Sequence, residues 1–235
     1  MSAQVEKSNI KFISTGGVFD YQLGNSAAVV KLNEVSILID CGYTVFGALS
    51  QKGAINDIDY LLITHLHGDH VGGLHPAVLH WANRRKSNIK IIYPTEAFKI
   101  ELESYLRIFL VNVEKYVEFL PISGFPEIGY LDTHDLHSKG IQSYAYCFDF
   151  PDEFIYFSGD LGDLEFSRGF LESVSHNNIR VFHEVNFLQG SAHVYYKDLE
   201  NLAKEFNVFA YHCNRQNAPD DCTLKFVDDY PEFLL

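Results

Sequence analysis

Between Thr64 and His70 the chain reads Thr-His-Leu-His-Gly-Asp-His, placing three imidazoles and a carboxylate within six residues. His65 and His67 stand two apart, so in extended chain they face the same way and can grip one ion. Gly68 permits a sharp turn. Asp69 and His70 then point elsewhere from the start of a helix, where they could hold a second ion. Imidazole and carboxylate donors without a thiolate suit zinc, with manganese, iron or nickel as other occupants.

Two elements must position this motif. Residues 58–63 form a short apolar, β-rich run and read as a buried strand. Residues 73–85 read as a helix. The motif therefore sits at the carboxyl end of a strand, on the turn into a helix. A histidine-rich surface turn would need neither that order nor those neighbours. His-x-His-x-Asp-His after a strand resembles the signature of the metallo-β-lactamase-fold hydrolases. The resemblance implies an α/β chain folded as a four-layer αββα sandwich. It does not fix the substrate, because fold and function are separable.

The 235 residues are expected to form a single domain, 1–235, large enough for a sizeable core. The formal charge is −13, and Arg84-Arg85-Lys86 is the only cationic cluster in the sequence. A protein that lives on phosphate-backbone contacts carries a basic face, so a large nucleic acid is not the expected partner. A small anion remains compatible, since two divalent metals would supply positive charge locally. Cys41, Cys147, Cys213 and Cys222 lack CxxC spacing, which points to reduced thiols in a cytoplasmic setting. The N-terminal MSAQVEKSN has no basic region followed by an apolar core, and no run approaches membrane-spanning length. Neither a signal peptide nor a membrane anchor is expected.

Taken in order, residues 9–15, 26–32 and 35–39 read as strands, the last two joined by a turn at Asn33-Glu34. Residues 43–56 read as a short helix and loop, 89–93 as a strand, and 95–119 as a helical stretch with surplus apolar positions that could form an interface or lid. Strands are expected at 131–137, 142–150, 154–157, 181–187 and 208–211, with helices starting at Leu171 and covering 196–206. Early hairpins followed by alternating strands and helices suit two mixed sheets with helices outside.

Three later strand ends return donor residues: His137, Asp160 and His212. In the family resembled, His65, His67 and His137 would hold one metal and Asp69, His70 and His212 the other, with Asp160 bridging. His134 competes with His137, but the two face opposite ways in a strand, and the family pattern favours His137. Asp40, ending the 35–39 strand, matches a family aspartate that orients the metal-binding turn. His183-Glu184 and Ala192-His193-Val194 resemble the His-Glu-Ala-Thr and His-Ser-Thr motifs of the tRNase Z branch. There a glutamate orients a histidine that protonates the leaving oxygen, which would give Glu184 and His193 those roles.

The reaction class this implies is phosphodiester hydrolysis at two metals, two Zn2+ with Mn2+ as the other candidate. The stretch from His137 to Asp160 leaves no room for the long arm by which many tRNase Z enzymes grasp tRNA. The Cys213-Asn214-Arg215-Gln216 run after His212 also departs from that branch. A compact relative with a small substrate resembles the phage anti-Pycsar proteins and their bacterial homologues. That resemblance implies a homodimeric phosphodiesterase opening 3′,5′-cyclic nucleotides (cCMP, cUMP, cAMP, cGMP) to 5′-monophosphates, in the host cytoplasm if viral. A tRNA 3′-processing endonuclease is the alternative. A metal-dependent binding protein without catalysis is a third reading.

Overall fold

The computed structural model describes residues 8–235. The expectation about an N-terminal signal falls largely on residues outside these. The chain divides into two compact units: one comprises the chain up to Ile63, His67–Pro121 and Val227–Leu235; the other comprises Thr64–Leu66 and Ile122–Phe226.

The first unit is built on a six-stranded sheet, in order β1 (Ile10–Ser14), β2 (Ala27–Leu32), β3 (Val35–Ile39), β4 (Tyr60–Leu62), β5 (Ile89–Tyr93), β6 (Val117–Pro121). β1 to β3 pair antiparallel and β3 to β6 pair parallel. The β2–β3 hairpin turns at Asn33, whose φ of 52° lies in the left-handed region that Asn tolerates. β3, β4 and β5 are rich in Ile and Leu and largely buried, as strands covered on both faces must be. The helices of this unit are α1 (Val45–Gln51), α2 (Gly68–Val71), α3 (Leu74–His80) and α4 (Glu96–Leu106). Thr95 caps α4 by accepting from the Phe98 amide. α3 runs on into a π-helical turn, Trp81–Arg85.

The second unit repeats the scheme: β7 (Ile128–Asp132), β8 (Tyr144–Asp149), β9 (Phe154–Phe157), β10 (Ile179–Glu184), β11 (Asn207–Tyr211), β12 (Lys225–Phe226), adjacent in that order. β7 to β9 pair antiparallel and β9 to β12 parallel. Its helices are α5 (Leu164–Ser173), capped by Asp163, and α6 (Tyr196–Leu202).

Several elements differ from the sequence reading. The stretch read as helical to residue 119 ends at Leu106, and its last part is the edge strand β6. Of its apolar residues Phe98, Leu102, Leu106, Leu110 and Val113 are buried, whereas Ile108 and Val111 beyond the helix are exposed. α5 ends close to where a helix was expected to start. The strand expected over 131–137 is β7, ending at Asp132, so His137 lies in the following loop. Among the described residues no helix is long and apolar enough to cross a membrane.

In the first unit the ends of β3 and β4 are stitched to the histidine-rich turn. The Cys41 amide donates to the His70 carbonyl at 2.7 Å, and Gly73 N–H donates to the Cys41 carbonyl at 2.8 Å. Gly42 lies so close that a Cβ there would stand 1.8 Å from the Asp69 carbonyl oxygen. Gly42→Ala is therefore expected to cost about 3 kcal/mol or more, the upper range for overpacking a site that cannot yield. Urea unfolding of the variant measures it; a loss below about 1 kcal/mol would mean the turn can shift.

Candidate metal centre and active site

The candidate residues occupy the carboxyl ends of parallel strands, where α/β sheets place their sites. Asp40 follows β3, the histidine-rich turn follows β4, Asp160 follows β9, Glu184 ends β10 and His212 follows β11. Asp40 and His212 both have φ of 62°. A non-glycine residue held there costs roughly 1–3 kcal/mol, and such positions cluster at functional sites.

In the first unit, Asp40 Oδ2 accepts from His70 Nδ1 at 2.8 Å. A carboxylate oxygen only accepts, so Nδ1 carries the hydrogen and Nε2 is the ring nitrogen that could ligate an ion. That Nε2 lies 3.5 Å from Asp69 Oδ2. Two donors on one tetrahedral zinc stand roughly 3.4 Å apart, given bonds of about 2.0–2.1 Å. The spacing fits a shared ion. His67 is half-buried on the same turn.

In the second unit, His65 is fully buried, with Nδ1 3.0 Å from Thr64 Oγ1. Its ring centroid lies 5.1 Å from that of His137. Asp160 turns a different oxygen to each of two histidines: Oδ1 is 3.2 Å from His212 Nδ1, and Oδ2 is 3.8 Å from His137 Nε2. This is the disposition a bridging carboxylate needs. His134, by contrast, is exposed and lies 3.5 Å from Asp135. The structure thus brings His137 to Asp160 although both histidines sit in a loop and strand alternation does not separate them. His137, Asp160 and His193 also have donor atoms within 4.8 Å of one another.

Glu184 is fully buried at the end of β10. Burial raises its carboxyl to about 7, opposed by the His193 imidazole. Its Oε2 lies 2.9 Å from His193 Nδ1, and its Oε1 accepts from the Val194 amide at 2.9 Å. His193 is partly exposed, and its ring is 5.1 Å from that of His137 and 5.4 Å from that of His212. Nδ1 is thus the ring nitrogen that faces Glu184. A cavity of about 630 Å³ opens here, lined by His137, His193, Gly162, Asp163, Arg168 and Asn201 among others.

Ser158 and Tyr211 carry no role in the sequence pattern. Both hold the turn that carries Asp160: Ser158 Oγ and Tyr211 Oη each bond the Gly159 carbonyl, at 2.6 and 3.0 Å. Ser158 Oγ also accepts from the Glu184 amide at 3.0 Å. The only sequence signal for them was adjacency to a donor residue. Cys41 and Cys147 are buried, which pushes their thiols up to about 12 and about 11, so neither is poised as a thiolate ligand.

Comparison with known proteins completes this picture. The family model "Anti-Pycsar protein Apyc1" matches residues 8–228. An anti-Pycsar protein of Bacillus phage 010DV004 is 26% identical over 223 residues, covering 83% of this chain and 84% of that protein. One from Paenibacillus xerothermodurans is 41% identical over 86 residues, covering 36% of this chain. The match spans only about a third of that relative's length (34%). Among solved structures, the metallo-β-lactamase-fold protein YhfI of Bacillus subtilis superposes with a TM-score of 0.70 at 16% identity, covering 96% of this chain and 92% of that one. Human short-form tRNase Z gives a TM-score of 0.61 at 16% identity, covering 91% and 97%. The chain has the metallo-β-lactamase fold. It belongs to the Anti-Pycsar protein Apyc1 family.

Asp40→Asn keeps a side chain that tolerates the left-handed backbone while removing the charge behind His70. It is expected to weaken zinc binding about 10- to 100-fold with little change in the unfolding midpoint of the metal-free protein. Competition against a chromogenic chelator reads the affinity.

Proposed function

We propose that this protein is a dinuclear metal-dependent phosphodiesterase that opens 3′,5′-cyclic nucleotides to nucleoside 5′-monophosphates. In doing so it would remove the signal of a cyclic-nucleotide defence against phage, which is what the relatives' anti-Pycsar name supports. The observation that carries the reading is the Glu184–His193 pair, joined at 2.9 Å with the His193 ring about 5 Å from those of His137 and His212. A ligand set alone would serve many hydrolases; a carboxylate-held imidazole beside it supplies a proton donor for an alkoxide leaving group.

In this reading the residues that would hold the ions are His65, His67, His137, Asp69, His70, His212 and Asp160. Two divalent ions, when bound, activate water and offset charge on the phosphoryl group. The chain's own residues do the rest. Asp69 orients the attacking water. As the new P–O bond forms and the water gives up one proton to solvent, the bond from phosphorus to the ribose 3′-oxygen breaks, and His193 Nε2 delivers its proton to that oxygen. Glu184 keeps Nδ1 protonated and the ring aimed, and stabilises the imidazolium before transfer.

A small substrate is supported by the cavity. Its volume lies in the range of small-molecule sites, and Asp135, Asp163, Glu165 and Asp198 line it against one guanidinium, Arg168. A polyanion gains nothing from such walls. Pairing of two copies belongs to the same proposal, with the exposed Ile108 and Val111 as surface that a second copy could cover.

The test is hydrolysis by the zinc-loaded protein of the four cyclic nucleotides alongside a precursor tRNA. Conversion of the cyclic nucleotides to 5′-monophosphates with precursor tRNA intact is the expected result; cleavage of the tRNA alone would assign the protein to RNA processing. His67→Ala and Asp69→Ala are expected to reduce turnover to background. His193→Ala is expected to slow it about 10²- to 10⁴-fold with metal content kept, and loss of metal in that variant would make His193 a ligand instead.

A further inference from the structure

His183 precedes Glu184 on β10 and takes no part in the chemistry above. Alternation along the strand sends it to the opposite face, where it is fully buried. Its Nδ1 lies 2.9 Å from the Glu184 carbonyl oxygen, and its Nε2 lies 3.0 Å from Ser167 Oγ on α5. Ser167 Oγ in turn lies 2.9 Å from the hydroxyl of Tyr156 on β9. All three side chains are sealed from solvent.

The hydrogen positions follow from one fact. A carbonyl only accepts, so His183 Nδ1 carries the hydrogen. Burial pushes the imidazole down to about 4, so at neutral pH Nε2 is bare and accepts from Ser167. The Ser167 oxygen is then left to accept from Tyr156. The chain runs one way, Tyr156 to Ser167 to His183 to the Glu184 carbonyl, and each of these groups has a partner. It is not a proton relay, because it starts at a phenol that burial pushes up and ends on a carbonyl that holds no proton. What it can do is fix a position.

That position matters because Glu184 sits where the sheet ladder stops. Its amide donates to the Ser158 hydroxyl and its carbonyl accepts from His183, so both backbone groups are held by side chains. Its carboxylate holds His193. We infer that His183, braced by Ser167 and Tyr156, is a positioning residue that sets the aim of His193 through Glu184. This rests on the reading of His193 as the proton donor.

The experiment compares two esters of one nucleoside 5′-phosphate. The 4-nitrophenyl ester has a leaving group that departs without a proton; the unsubstituted phenyl ester needs one more. The zinc-loaded wild type, His193→Ala, His183→Leu, His183→Asn and Ser167→Ala are assayed for kcat and KM on both. His193→Ala is expected to lose far more kcat on the phenyl ester than on the nitrophenyl ester. His183→Leu is expected to show the same asymmetry in milder form, roughly tenfold on phenyl and under about threefold on nitrophenyl, with KM unchanged. His183→Asn returns a donor for the Glu184 carbonyl and is expected to recover most of the loss. Ser167→Ala, which removes only the brace, is expected to show a smaller loss of the same asymmetry, and it carries the test if His183→Leu fails to fold. Equal losses on both esters in the His183 and Ser167 variants, beside an asymmetric His193→Ala, would overturn the inference and leave His193 as the donor. A symmetric His193→Ala would overturn the donor assignment itself, and the inference with it.

Discussion

A carboxylate withdrawn from water must meet positive charge or hydrogen-bond donors, or it costs several kcal/mol. This chain, already at −13, buries Asp40, Asp69, Asp160 and Glu184 with exposures of 7% or less. Each has an imidazole nitrogen within 3.5 Å. Neutral imidazoles offset such burial only in part. Divalent ions held beside these carboxylates would offset more of it, so ion binding and folding are expected to be coupled.

The backbone is shaped to make this concentration possible. Both sheets begin with antiparallel strands and continue parallel, so several strand ends in each deliver side chains at one edge. The residues that carry charge sit just past those ends, some in left-handed conformations that regular strand would not allow. Glycines admit the closest approaches, Gly42 against the Asp69 carbonyl above all. Behind them lie uncharged braces: Ser158 and Tyr211 for the Asp160 turn, and His183 with Ser167 and Tyr156 for Glu184.

Much of this was legible in the sequence. The histidine-rich turn announces itself because its chemistry is local. The β2–β3 hairpin does so because Asn33 supplies the turn. Other features were hidden. β6 reads as helix in the sequence because it follows a genuine helix and its Val117, Phe119 and Leu120 continue an apolar pattern. α5 is hard to see, although Asp163 is a good cap, because its Ser167, Arg168 and Gly169 dilute the apolar stripe. The sequence pattern puts His137 at a strand end, but Asp135 at φ 62° lies in a loop that carries it away from the strand. The use of His183 depends on contacts with β9 and α5, distant in sequence, and no spacing rule announces them.

The proposal turns on the ion stoichiometry of His65, His67, Asp69, His70, His137, Asp160 and His212, which would together hold two ions in each chain. Elemental analysis of the purified protein after zinc loading and exhaustive dialysis measures it directly. Two zinc ions per chain are expected in the wild type. Loss of ions is expected in His70→Ala and His137→Ala. A wild-type stoichiometry of one or none, or two ions that survive both substitutions unchanged, would contradict the proposal.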